Sequence, residues 1–196
     1  MFLLKSGNHK LAKSIAVWNL PRKSCIGKSK ECSKYCYGRK FEGMPSVQHS
    51  RNFRYDLSKR DEFESLITVE IEYRNLDKVR IHEVGDFYNN EYLDKWKHIA
   101  KKCPNTRFVA YTKSLPLKLW NDLPDNFTIF QSYGGKFDNL LDKSKNTARV
   151  IKSKDDKLDN EYLCPYGQSN FKKCGITCNF CYNDKTEIKH VVFELH

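Results

Sequence analysis

Apolar positions recur along this chain with two different periods. Phe63, Leu66, Ile67 and Ile71 stand at i, i+3, i+4 and i+8 within residues 59–74, the stripe of a helix buried on one side, and Ser58-x-x-Asp61 ahead of it resembles a capping box. Tyr92, Trp96, Ile99 and Cys103 mark a second stripe over residues 91–102, stopped before Pro104. Short β-branched or aromatic runs alternate with these stripes. Residues 79–84 end at Gly85-Asp86, residues 107–111 follow the second helix, and residues 126–133 end at Gly134-Gly135. Residues 148–153 and 189–195 complete the predicted strands. A short helix is expected over 116–123, with Pro near its start, and one helical turn over 140–143. The polar, charged stretch 143–159 is the expected mobile loop.

Strands separated by helices imply right-handed crossovers and a largely parallel sheet, open or curled toward a barrel. A full eightfold barrel takes ~250 residues, and the chain has 196. The pattern therefore predicts an α/β protein built as a small or partial TIM-like (β/α) barrel with mostly parallel strands. One domain over residues 1–196 is expected, with an N-terminal cysteine loop at 25–37 and a cysteine-rich segment at 164–182.

Composition narrows the class. Hydrophobic residues make up 39% of the chain, enough for a core, and 35 Lys+Arg against 24 Asp+Glu leave a net charge of +11. Mean hydropathy is −0.72, and no run approaches the ~18 apolar residues of a membrane helix, so a soluble protein without a membrane partner is expected. Met1-Phe-Leu-Leu-Lys5 is too short an apolar run for a secretory signal. A reducing compartment follows as the expectation, and with it metal rather than disulfide chemistry for the eight cysteines.

Seven of those cysteines fall into two groups. Cys164-x9-Cys174-x3-Cys178-x2-Cys181 places four soft thiolate donors on one segment, with spacings that let three of them converge from a single loop. A [4Fe–4S] cluster is the favoured occupant; zinc is the alternative, although only Cys178 and Cys181 form the paired knuckle usual for structural zinc. Cys25-x6-Cys32-x3-Cys36 supplies three thiols, one short of a closed site. It predicts a second cluster with an open iron, a site completed by another ligand, or thiols that simply pack. Cys103, on a helical stripe, reads as a buried structural thiol.

Acid and base candidates gather where strands end. His82, Glu83 and Asp86 close one predicted strand and Lys113 the next. Alternation would set His82 and Glu83 on opposite faces of a strand, while Asp86, past Gly85, is free to reach a centre or to cap a turn. Basic aromatic segments such as Asn52-Phe-Arg-Tyr55 could pair phosphates with stacking. The lysines are spread over the whole chain, however, and no nucleic-acid-binding signature stands out.

Several segments also carry a resemblance. Leu11-Ala-Lys-Ser-Ile-Ala-Val-Trp-Asn-Leu-Pro21, Cys25 through Cys32-Ser-Lys-Tyr-Cys-Tyr37, Arg80-Ile-His-Glu-Val-Gly-Asp-Phe-Tyr88, Ala110-Tyr-Thr-Lys-Ser114 and Gln131-Ser-Tyr-Gly134 resemble the small phage-encoded proteins of the gene-product-eighty-eight family. Cys164, Cys174, Cys178 and Cys181 match that family's cysteine-rich tail. The resemblance implies a viral iron–sulfur protein with a barrel-like α/β fold, at work in the cytoplasm of the host cell, and carries over no settled activity. More distantly, Cys174-x3-Cys178-x2-Cys181-Tyr182 is similar to the cluster signature of radical S-adenosylmethionine enzymes. In those enzymes the motif follows the first barrel strand, and Cys164 would here close the iron that binds the cofactor.

Three readings compete: an iron–sulfur protein with a redox, sensing or host-modulating role, a radical S-adenosylmethionine-like metalloenzyme, and a zinc-stapled nucleic-acid-binding module. Nucleic acid or a host protein is the expected partner, and a monomer the expected state.

Overall fold

Strand-forming residues in this chain present apolar side chains on both sides, as a parallel sheet covered on both faces requires. In the computed structural model, which describes residues 2–183 and 189–195, they build one sheet of eight strands: β1 Lys5–Ser6, β2 Ile15–Trp18, β3 Lys78–Ile81, β4 Arg107–Thr112, β5 Phe127–Ser132, β6 Thr147–Ile151, β7 Glu161–Leu163 and β8 His190–Glu194. Their order is β1-β2-β3-β4-β5-β6-β8-β7, and every pair except β1 with β2 is parallel. The sheet is open. β1 and β7 are its edges, so the alternating pattern expected from the sequence gives a mixed α/β protein and not a closed barrel.

Register sorts the side chains. Val79 pairs with Ala16 and Phe108, and Phe108 with Phe127, which puts these residues on one face together with Trp18, Ile81, Ala110 and Ile129. Against that face lie α3 (Phe63–Tyr73) and α4 (Asn90–Lys102), whose stripes supply Phe63, Ile67, Ile71, Tyr92, Trp96 and Ile99, all buried. Asn89 caps α4 by accepting from the Tyr92 amide at 2.9 Å, and the helix ends at Cys103, 5% exposed, before Pro104. The opposite face carries Ile15, Val17, Val109, Phe130, Ala148 and Val191, and is covered by residues from the cysteine-rich segment, Cys164, Cys174, Phe180, Cys181 and Tyr182 among them.

Four local expectations are corrected. Helix α3 begins at Phe63 without a side-chain cap. Ser58 instead ends α2 (Pro45–Leu57), a helix the pattern did not reveal, and its hydroxyl is engaged by the Tyr55 carbonyl and the Tyr88 hydroxyl. Residues 116–123 form turns: the Lys118 amide donates to the Asn90 side chain, and Asp122 takes the left-handed φ of 49°. The stretch 143–159 is not one loop, since it contains β6 and a capping box at Ser153, and Arg149 pairs with Glu161 at 2.6 Å. Strand β3 stops at Ile81, three residues short of expectation, because His82 adopts a φ of 61°.

Candidate functional site

Both cysteine groups are tied to the sheet by backbone. The Cys174 amide donates to the Lys10 carbonyl and its carbonyl accepts from Ala12, each at 2.9 Å, while Cys164 donates to Val192 on β8 at 2.8 Å. Gly175, next after Cys174, turns the chain beside Ile15 of β2 with a φ of 88°, a left-handed backbone that favours glycine. Cys178 and Cys174 share an isolated β-bridge, and Cys181 opens onto β4.

The surroundings of these four thiols combine apolar cover with a few directed polar groups. Tyr111 Oη lies 2.8 Å from Cys181 Sγ, and Tyr162 Oη 3.4 Å from Cys178 Sγ. Burial pushes the Cys174 thiol up to about 11, against the Lys10 ammonium and with the charges of Cys164, Cys181 and Cys178 adding to the rise. Burial likewise raises Cys181, opposed by the Tyr111 hydroxyl and by Arg80. The Arg80 guanidinium sits 4.0 Å over the Tyr111 ring, and the Lys10 ammonium 4.7 Å over Tyr166. Cys174 thus feels the other three sulfurs, and Cys181 feels Cys164 and Cys178, among phenols and cations.

The N-terminal group assembles differently. Gly27 lies so close to Lys113 that a Cβ would stand 1.9 Å from its carbonyl oxygen, and Lys28 bridges Gly135, so the cysteine loop is pressed onto the carboxyl ends of β4 and β5. Helix α1 (Lys30–Lys34), capped by the Ser29 hydroxyl accepting from the Cys32 amide at 2.9 Å, turns Cys32 and Cys36 toward Cys25. Burial, then the charges of Asp86, Cys36 and Cys32, push the Cys25 thiol up to about 12. Cys32 is raised by burial and pulled back by Lys113.

The four acid and base candidates separate. Asp86 and Lys113 come to the N-terminal thiols. Asp86 Oδ1 accepts from the Phe87 amide at 2.8 Å and the Thr112 hydroxyl at 2.6 Å, and Oδ2 from the Lys113 amide at 2.8 Å, so the carboxylate ties the loop after β3 to the end of β4. Burial pushes Asp86 up, and those same bonds oppose the rise. The Lys113 ammonium donates to the Tyr133 carbonyl at 2.6 Å. His82 departs from the group: it is 3% exposed, joined through Nε2 to Tyr92 Oη at 2.8 Å and packed on Phe87, and burial lowers it to about 3, which keeps the ring neutral. Glu83 is held by the amides of Asn8 and Asn19. Since neither residue is in a strand, alternation does not govern where they point.

Sequence reasoning missed the hydroxyls of Tyr111 and Tyr162 and the guanidinium of Arg80 beside the C-terminal thiols. Arg80 left a signal, a charge at the centre of a strand between Val79 and Ile81, both buried on the other side. All eight cysteines are free, and among the described residues no set of three or more Cys, His, Asp or Glu stands at metal-ligating spacing. Thiols are the donors a thiophilic centre takes, but the sulfurs as they stand are not at ligating distances.

These features define a mixed α/β protein with a mostly parallel open sheet and two groups of free cysteines, one on a sheet face and one at strand ends. The chain belongs to the Gene product 88 family, whose model matches residues 2–183, a span that includes both groups. None of the curated proteins and none of the solved structures compared with it matches. No helix among the described residues is long and apolar enough to cross a membrane.

Proposed function

We propose that this is a phage-encoded iron–sulfur protein of the host cytoplasm, in which Cys164, Cys174, Cys178 and Cys181 hold one [4Fe–4S] cluster that serves a redox, sensing or host-modulating role. The observation that carries the reading is the setting of the four free thiols. They bear on one another from one segment packed on an apolar sheet face, with phenol hydroxyls on Cys181 and Cys178 and the cations Arg80 and Lys10 near by. Thiolates select iron–sulfur clusters or zinc, and hydrogen bonds to sulfur together with burial set a cluster's potential.

Anaerobic purification tests it. The protein should be brown, absorb near ~400 nm and contain about four iron and four sulfide per cluster. Cys178→Ala should lose the iron, and Cys103→Ala, whose residue ends α4 in the core of the helical face, should keep it. Retained iron in Cys178→Ala overturns the ligand set, and stoichiometric zinc in a colourless protein favours the zinc-stapled module that would bind nucleic acid.

A second reading rests on Cys25, Cys32 and Cys36 beside Asp86 and Lys113, at the carboxyl ends of β3 and β4, where parallel sheets collect functional groups. Three thiols would leave one iron of a second cluster open, as a radical S-adenosylmethionine-like metalloenzyme needs. Perturbation of the reduced protein's electron paramagnetic resonance by S-adenosylmethionine supports this reading; an unchanged spectrum excludes it.

A further inference from the structure

A cleft of about 250 Å³ opens between the 3-10 turn Arg22–Ser24 and helix α2. Arg22, Lys23, Arg51, Glu42, Gln48 and Asn52 line it, with Pro21. Three cations thus face one carboxylate, a local excess of two positive charges. Arg22 is committed, 2.6 Å from Glu42 and donating to the Ser33 carbonyl at 3.1 Å. Lys23 is exposed and lies 4.9 Å over the Tyr55 ring without an ion pair among the described residues.

Arg51 is the unusual member. It is 8% exposed, yet among the described residues its guanidinium makes a single hydrogen bond, 3.4 Å to the Gly38 carbonyl, and no ion pair. A guanidinium has five donors and cannot shed its charge, so burying it without an anion leaves most of its hydrogen-bonding capacity unused. Burial pulls it down, while the charges of Glu42, Cys36, Glu83 and Tyr37 counter only at a distance. The cleft adjoins the N-terminal thiols, because Arg22 interacts with Cys36 as well.

We propose that this cleft binds a phosphate monoester, its phosphoryl group taken by Arg51 and Lys23 beside the Arg22–Glu42 pair. A phosphoryl group carries close to two negative charges at neutral pH and offers three acceptor oxygens, which matches both the charge excess and the idle donors of Arg51. Guanidinium is the side chain best shaped for it, being planar and forked.

The test is a titration of the full chain with methyl phosphate, followed by thermal unfolding and by amide chemical shifts, with chloride at matched ionic strength as the control. Saturable stabilisation, with shifts centred on residues 21–24 and 48–52, is expected. Arg51→Gln should weaken binding roughly tenfold or more, as loss of a charge-assisted contact does, and Arg51→Lys should recover part of it. Lys23→Gln, at an exposed position, should fold normally and weaken binding by a smaller factor, so it carries the test should Arg51→Gln fail to fold. A response equal to that of chloride, one that does not saturate, or one unchanged in both glutamine variants overturns the proposal.

Discussion

The two faces of the sheet are built by opposite means. On the helical face, regular elements supply long aromatic side chains that interlock: Trp96 meets Trp18 edge-on at 6.1 Å, Phe63 at 5.5 Å and Phe108 at 6.4 Å between ring centroids. On the other face the cover comes from a segment with little regular structure, in which Tyr162 stacks on Phe180 at 3.9 Å and three thiols, of Cys164, Cys174 and Cys181, occupy places where a core would put leucine or valine. The first arrangement buries large apolar area for each residue it orders; the second spends its ordering on small, chemically reactive groups. Stability is therefore expected to reside on the helical face, and chemistry on the cysteine face and at the adjoining strand ends.

The most severe way to break this comparison is Trp96→Ala. Trp96 is fully buried among four aromatic rings, and truncation leaves a cavity that neighbours held by β-strands and α3 cannot fill, so a loss of ~3–5 kcal/mol is expected in chemical denaturation. A loss below ~1 kcal/mol would mean that the helical face is not where stability lies.

The same face should also register as a pH dependence. His82 is lowered to about 3 by burial, with Arg80 adding to the effect, whereas an unfolded chain returns it to its ordinary value near 6.5. Between those values the unfolded state binds a proton that the folded state refuses, so stability is complete above about pH 6.5 and falls as the pH drops toward 3. The contribution reaches at most ~1.4 kcal/mol per pH unit. Asparagine accepts the left-handed backbone that His82 adopts and does not titrate. His82→Asn should therefore flatten the stability-against-pH curve by up to one proton in that window; an unaltered slope would show that the imidazole is charged in the fold.

What could be read from the residues divides along the same line. The α4 stripe, its stop at Pro104 and the β4 and β5 runs were legible because apolar pattern and burial coincide there, on one side of the helix and on both sides of the two central strands. Helix α2 was hidden, since it buries only Arg51 and Leu57 and so has no apolar stripe to detect. The conformation of His82 was hidden as well, because it arises from contacts distant in sequence: Asn19 captures the Glu83 and Val84 amides and the chain leaves the strand. For the cysteines, spacing revealed the two groups. It could not reveal that the C-terminal one lies on a sheet face beneath Tyr111 while the N-terminal one is pressed on strand ends through Gly27, for such placement depends on register and close approach.

The finest discrimination between the faces comes from a single oxygen. Tyr111 stacks on Phe130 at 4.7 Å between centroids, supports Arg80 on its ring and places its hydroxyl 2.8 Å from Cys181 Sγ. Phenylalanine preserves the stacking and the cation–π contact and removes only the hydroxyl, leaving a buried sulfur without that partner. Tyr111→Phe should cost ~1 kcal/mol in denaturation, the usual worth of one intramolecular hydrogen bond, a small fraction of the Trp96 effect. The thiol gives a second measurement, since the hydroxyl opposes the burial that raises Cys181. Its removal should push that thiol further up and slow alkylation at Cys181 at a fixed pH in metal-free protein. Unchanged alkylation with a full stability loss would reduce the hydroxyl to packing; slower alkylation with a small loss is the outcome expected of a face whose polar groups serve its sulfurs.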